Sequence, residues 1–165
     1  MPVNSNTVVQ DGIEYCIETN KVVYDLGEDV EILYTLTNQR SEALDIRGLA
    51  PMGEIAVEAR EAEGFREVWV WYGSVAIPGG PVVLELESGE SDAMSGTWPQ
   101  IDFKGNWHIE DDTDVLPGQY RVVGRFGPTS SIVGVDIAII PEPGSLALFA
   151  VGLLFVRQHN RRQSG

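Results

Sequence analysis

Residues 30–36 read Val-Glu-Ile-Leu-Tyr-Thr-Leu. On an extended backbone Val30, Ile32, Tyr34 and Leu36 share one face, and Glu31, Leu33 and Thr35 the other. This is the period of a strand with one side buried. The same kind of segment recurs along the chain, as "REVWVWYG", "VVLELE", "YRVVGRF" and "SIVGVDIAII". All are rich in β-branched and aromatic residues. Between them stand "DLGED", "IPGGP", "ESGES", "LPGQ" and "FGPTS", which carry the residues that turns require. "EIAVEAREAEGF" has helical propensity, but reads as a strand over Ile55–Arg60 with a turn at Gly64. In "REVWVWYG", Val68 and Val70 alternate with Trp69 and Trp71, so the two tryptophans share a face. Short strands joined by turns, with no long helical period, predict an all-β antiparallel sandwich or barrel. No repeat of 20–50 residues is evident.

"VLPGQYRVVG" places a Leu-Pro-Gly turn just before Tyr120, at the head of a strand. Greek-key sandwiches tie such a tyrosine hydroxyl back to the preceding turn. The expected layout is a flexible N-terminus over 1–12, a sandwich over 13–140 and a separate segment over 141–165.

Charge supports that division. Residues 1–144 hold all 25 acids against 8 of the 11 bases, while the last 21 residues hold no acid and three arginines. An acidic body repels phosphate, so nucleic acid is excluded as a partner. The single cysteine, Cys16, excludes an intrachain disulfide. In its strand-like setting it reads as a packed thiol rather than a nucleophile.

The ordered set "LGEDVEILYTLTNQRSEAL", "EIAVEAREAEGFREVWVW", "LELESGES", "SGTWPQIDFKGN" and "LPGQYRVVGRF" resembles the BsuPI-type intracellular proteinase inhibitor family, from about Tyr24 to Phe126. The resemblance implies an immunoglobulin-like β-sandwich and, as one expectation, inhibition of a protease. No reactive-site residue of that family maps onto this chain, and "KGNWHIEDDTDV" departs from its compact pattern.

The C-terminal segment has three parts in order: "PEPG", "SLALFAVGLLFV" and "RQHNRR". Together they resemble a PEP-CTERM sorting signal. By that resemblance Pro141, Glu142 and Pro143 are the sorting motif. The implied partner is an exosortase, a membrane cysteine transpeptidase of bacteria that make extracellular polysaccharide. The physics of the segment agrees. The prolines keep the peptide extended and accessible, and Ser145 can cap a helix that follows. Leu146, Leu148, Phe149, Leu153, Leu154 and Phe155 make an uncharged membrane segment with no polar stripe. As a helix, Leu146–Val156 spans roughly 17 Å, short of a bilayer core of about 30 Å. Arg157, Arg161 and Arg162 can snorkel to extend it, and place the C-terminus on the cytoplasmic side. The expected location is the cell envelope or extracellular space, anchored in the membrane before processing. The opening "MPVNSNTVVQDGIEYCIE" lacks the basic and apolar regions of a signal peptide. Export normally requires one, and the expected explanation is a start-site or fragment problem.

The remaining constellations are sparse. Asp111, Asp112 and Asp114 are a weak calcium candidate, since the acids lack EF-hand spacing. Trp107, beside His108, is a candidate exposed aromatic for stacking on polysaccharide. Pro78 and Pro81 lie in "AIPGGPV", a candidate contact loop for a protease. No nucleophile elbow, phosphate loop or isolated carboxylate pair is visible. The expectation is a binding or structural protein without cofactor or catalysis, the alternative being an inhibitor that uses a sandwich loop or edge.

Overall fold

The structure, a computed structural model, describes residues 4–49, 53–72, 81–103, 113–126 and 133–142. Among these the chain is all β. Strands β1 (Asn4–Gln10), β2 (Ile13–Thr19), β4 (Val30–Asn38) and β9 (Ser91–Trp98) form one sheet in the order β1-β2-β4-β9. Strands β3 (Val23–Asp25), β6 (Glu54–Glu61), β7 (Gly64–Tyr72), β12 (Gly118–Arg125) and β13 (Val133–Ile140) form a second in the order β3-β13-β12-β6-β7. Two short ribbons complete it, β5 (Leu44–Leu49) with β8 (Pro81–Leu86), and β10 (Ile101–Asp102) with β11 (Thr113–Asp114). Every pairing is antiparallel except β3 with β13.

The alternation does what it predicts. In β4, Val30, Ile32, Tyr34 and Leu36 are buried and Glu31 and Leu33 exposed. In β2, Ile13, Tyr15 and Ile17 face the same way. They meet Ile55 and Val57 of β6, Val122 of β12, and Val133, Val135, Ile137 and Ile139 of β13 in one core. Two sheets each apolar on one face can bury those faces only against each other, which is the sandwich.

Residues 4–12 differ from expectation. Asn4–Gln10 is a paired strand rather than a flexible terminus, in register with β2 from Asn4↔Thr19 to Gln10↔Ile13. The connection is Asp11-Gly12, both with positive φ (51° and 72°). This two-residue loop matches the twist of a β-hairpin, and Asp-Gly is among its preferred sequences. Asn4 and Asn6 then reach across to the other sheet. Their Nδ2 groups donate to the carbonyls of Asp136 (3.0 Å) and Gly134 (2.9 Å) on β13.

Strand β7 contains a bulge. Val57 pairs with Trp69 but Glu58 with Glu67, so Val68 has no opposite residue. Val68 is buried in the core and Trp69 packs against the same core, which strict alternation would forbid.

Polar side chains hold the turns. The Gln100 side-chain amide donates to the carbonyls of Asp25 (2.9 Å) and Glu28 (2.7 Å), while its oxygen accepts from the Gly27 N–H (2.8 Å). The buried Asn38 donates to the carbonyls of Glu42 and Leu86, both at 2.9 Å. On the outer face of the second sheet Arg125 pairs with Glu54 (2.6 Å), Glu58 (2.7 Å) and Glu67 (2.6 Å). Burial works against its charge, but the three carboxylates outweigh that and raise its pKa above the ordinary arginine value.

Candidate functional site

Three places carry chemistry-bearing residues, and the first is the exit from the sandwich. Strand β13 pairs with β12 along its length and with β3 from Ala138↔Val23 to Ile140↔Asp25. The Ile140 carbonyl accepts from the Leu26 N–H at 2.9 Å. Pro141 follows at once. It has no N–H, so it cannot prolong the ladder. Pro141 is half-buried and Glu142 exposed, so the chain reaches solvent within two residues of the last strand.

The second is a groove of about 520 Å³ beside Tyr120. The Tyr120 hydroxyl donates to the Leu116 carbonyl at 2.5 Å, closing the expected tyrosine corner. Burial is the chief cause that pushes this phenol's pKa up. In the same groove Arg66 forms a two-pronged pair with Asp102, at 3.2 and 3.0 Å, and its Nε donates to Glu61 at 2.6 Å. The hydrogen bonds to Asp102, then to Glu61, raise the guanidinium pKa further. Asp102 is buried, so this pair ties β10 to β7 and seals the floor of the groove.

The third is the flank where β7 and β9, each last in its sheet among the described residues, approach one another. Trp69 and Trp71 have parallel rings (4°) with centroids 6.4 Å apart. Both lie over Gly96 of β9. A Cβ at that position would stand 2.9 Å from Cδ1 of Trp71 and 3.4 Å from Trp69. Trp98 contrasts with them. It is fully buried, tilted against Tyr120 at 5.3 Å, and donates its indole N–H to the Ile101 carbonyl at 3.0 Å. Neither Trp69 nor Trp71 donates its indole N–H to a described residue, and Trp71 is 43 % exposed.

Other expected site residues fall as follows. Cys16 is a free thiol on the outer face of the first sheet, half-buried, paired across the ladder with Thr7 and Thr35. Asp114 is exposed on β11, and no metal-holding cluster occurs among the described residues. Pro81 opens β8, opposite Leu49. Trp107, Pro78, Asp111, Asp112, Pro143, the membrane segment over 146–156 and the three C-terminal arginines lie outside the described residues. Among the described residues no helix is long and apolar enough to cross a membrane.

The comparison that decides the C-terminal segment is a family model, described as the PEP-CTERM protein-sorting motif, that matches residues 140–162. The chain carries a PEP-CTERM sorting motif. That motif implies an exported protein processed by an exosortase and held at the membrane beforehand. It starts on Ile140, the last paired residue of β13, so sandwich and motif share a boundary. No curated protein matches the chain in sequence. Among solved structures, the sporulation control protein Spo0M from Bacillus subtilis aligns with a TM-score of 0.52 at 13% identity, over 92% of this chain and 55% of that one. The Pseudomonas fluorescens alkylpurine DNA glycosylase AlkC aligns with a TM-score of 0.50 at 12% identity, over 80% of this chain and 31% of that one. The chain thus spans about half and about a third of those proteins. At such identities the likeness shows the fold alone.

Proposed function

We propose that this protein is a cell-surface or extracellular-matrix sandwich, delivered by its PEP-CTERM motif and serving there as a binding or structural element rather than a catalyst. The observation that carries the reading is the motif over 140–162, starting where the core strand β13 stops. An exosortase-type enzyme recognises Pro141, Glu142 and Pro143 while the apolar residues 146–156 hold the substrate in the bilayer and Arg157, Arg161 and Arg162 fix its orientation. An exposed peptide just past the last strand suits this, because a processing enzyme then reaches its backbone without unfolding the sandwich.

The test is co-expression of the full chain with an exosortase, followed by mass spectrometry of the mature protein. A new C-terminus near Pro143, abolished by Pro141→Ala with Glu142→Ala, is the expected result. An intact chain recovered wholly from the soluble fraction would sink the reading.

The second reading is protease inhibition, favoured by the ordered resemblance of the body to the BsuPI-type inhibitor family. It needs a loop or edge offered to a protease, for which Pro78 and Pro81 are the candidates. Sub-micromolar inhibition of one protease in a panel, surviving loss of residues 141–165, is its expected signature.

A further inference from the structure

We infer that Trp69 and Trp71, with the free edge of β9 at Gly96, form a binding site for a neutral polysaccharide chain. The argument starts from the contrast among the tryptophans. Trp98 does what a structural tryptophan does, with its ring sunk in the core and its N–H satisfied by a backbone carbonyl. On β7, Trp69 only packs against the rim of that core and Trp71 stands mostly clear of it. Two parallel rings stand one after the other along a strand, the outer one 43 % exposed. Their two N–H donors meet no described residue.

The opposing strand is shaped to this pair. Gly96 leaves the space that the indoles fill, since any side chain there would displace Trp71. β9 ends its sheet among the described residues, so no described strand lies beyond Gly96. Gly96 also borders an open depression of about 450 Å³ on the outer side of the same sheet, whose walls include Glu18, Asn20, Glu31, Ser95 and Thr97. Glu18 and Glu31 have no ion-pair partner among the described residues. A ligand draped over the β9 edge therefore meets flat apolar surface on one side and oxygen acceptors and hydroxyls on the other.

That combination selects a class of ligand. A pyranose ring has an apolar C–H face for an indole, and its hydroxyls both donate to carboxylates and accept from N–H groups. Charge narrows the choice. The two walls of the depression that carry charge are both acidic, in a chain of net charge −14. A polyanion, whether nucleic acid or a uronate-rich glycan, is repelled. A neutral glycan is not. This inference deepens the binding role proposed above by naming its site and ligand class.

The experiment uses the full-length chain in nonionic detergent, passed over insoluble cellulose, β-1,3-glucan and mannan, with alginate as the anionic control. Retention on at least one neutral glycan and none on alginate is expected. Trp71→Ala should cut retention at least tenfold with an unchanged circular dichroism spectrum, while Trp71→Phe keeps most of it. If Trp71→Ala fails to fold, protection of wild-type tryptophan fluorescence from acrylamide by soluble oligosaccharides of the retained glycan gives the same answer. Passage through all three neutral columns would overturn the inference. So would equal retention of folded Trp71→Ala, or capture of a protease in place of glycan that is lost with Trp71. Failure here leaves processing at the sorting motif untouched, and a chain that binds glucan but is never cleaved fails the sorting reading alone.

Discussion

The two flanks of the sandwich are fastened by different chemistry. On one, β1 is stitched to β13 by amide side chains of Asn4 and Asn6 that donate to backbone carbonyls. On the other, two indoles of β7 rest on a glycine of β9, with their N–H groups unspent among the described residues. The first flank spends its polar groups inside the molecule. The second leaves its indole N–H groups without a partner among the described residues, as the proposed glycan site requires. A flank built for stability alone would gain by donating those N–H groups to carbonyls, as Trp98 does.

The sharpest way to break the comparison is to truncate tryptophans in both settings. Trp98→Ala empties the centre of the core and should cost about 3–5 kcal/mol in urea unfolding. Trp71→Ala removes a ring already half in water and should cost less than about 1.5 kcal/mol. Equal losses would mean that the open flank is as structural as the core.

Next in size is one chemical change made in two places. A Cβ at Gly124 would clash with the Tyr34 ring, which is fully buried and has nowhere to go. Gly124→Ala should therefore cost about 1–3 kcal/mol. Gly96→Ala meets Trp71, which can swing outward. It should cost less, and shift tryptophan emission to the red as the indole gains water.

A smaller effect separates two tyrosines. Tyr120 spends its hydroxyl on Leu116, so Tyr120→Phe should lose about 1 kcal/mol. The buried Tyr34 hydroxyl has no partner among the described residues, so Tyr34→Phe should leave stability unchanged or raise it by up to about 2 kcal/mol. Burial is the leading cause that pushes up the pKa of Tyr24, Tyr34 and Tyr120. Such phenols keep their protons in the folded chain when the unfolded chain, near pH 10, gives them up. Stability is then full below about pH 10 and falls as pH rises beyond it. Urea midpoints at pH 8 and pH 11 should show the fall, and Tyr34→Phe should reduce it.

The smallest effect lies on the stitched flank. Asn4→Ala and Asn6→Ala each lose an exposed bond to a carbonyl that water can replace, so each should cost less than about 1 kcal/mol in the same assay.

Period-two patterning made the strands, the core face of β4 and the tyrosine corner legible before any coordinates. It also placed Trp69 and Trp71 on one face. The N-terminal strand was legible but passed over: Asp11-Gly12 stands between Val8-Val9 and Ile13, and is a strong hairpin signal. The bulge at Val68 was not legible, because an extra residue in a ladder shows only against its partner strand. The Arg66–Asp102 pair and the meeting of Gly96 with the indoles join residues remote in sequence, and local pattern carries no trace of such contacts. Trp107, the exposed aromatic expected from its place beside His108 and the acidic run, lies outside the described residues; among these, the exposed tryptophan is Trp71 on β7.

Strand β13 fixes a geometry between the sorting motif and Trp71. The tail departs after Ile140, while Trp71 stands in the row of Ile55, Gly124 and Val133, at the opposite end of that strand. At about 3.3 Å per residue the two ends lie roughly 23 Å apart. The sorting motif and the exposed indole thus sit at opposite poles of one strand, so an exosortase working at Pro141 and a ligand resting on Trp71 would not compete for the same ground.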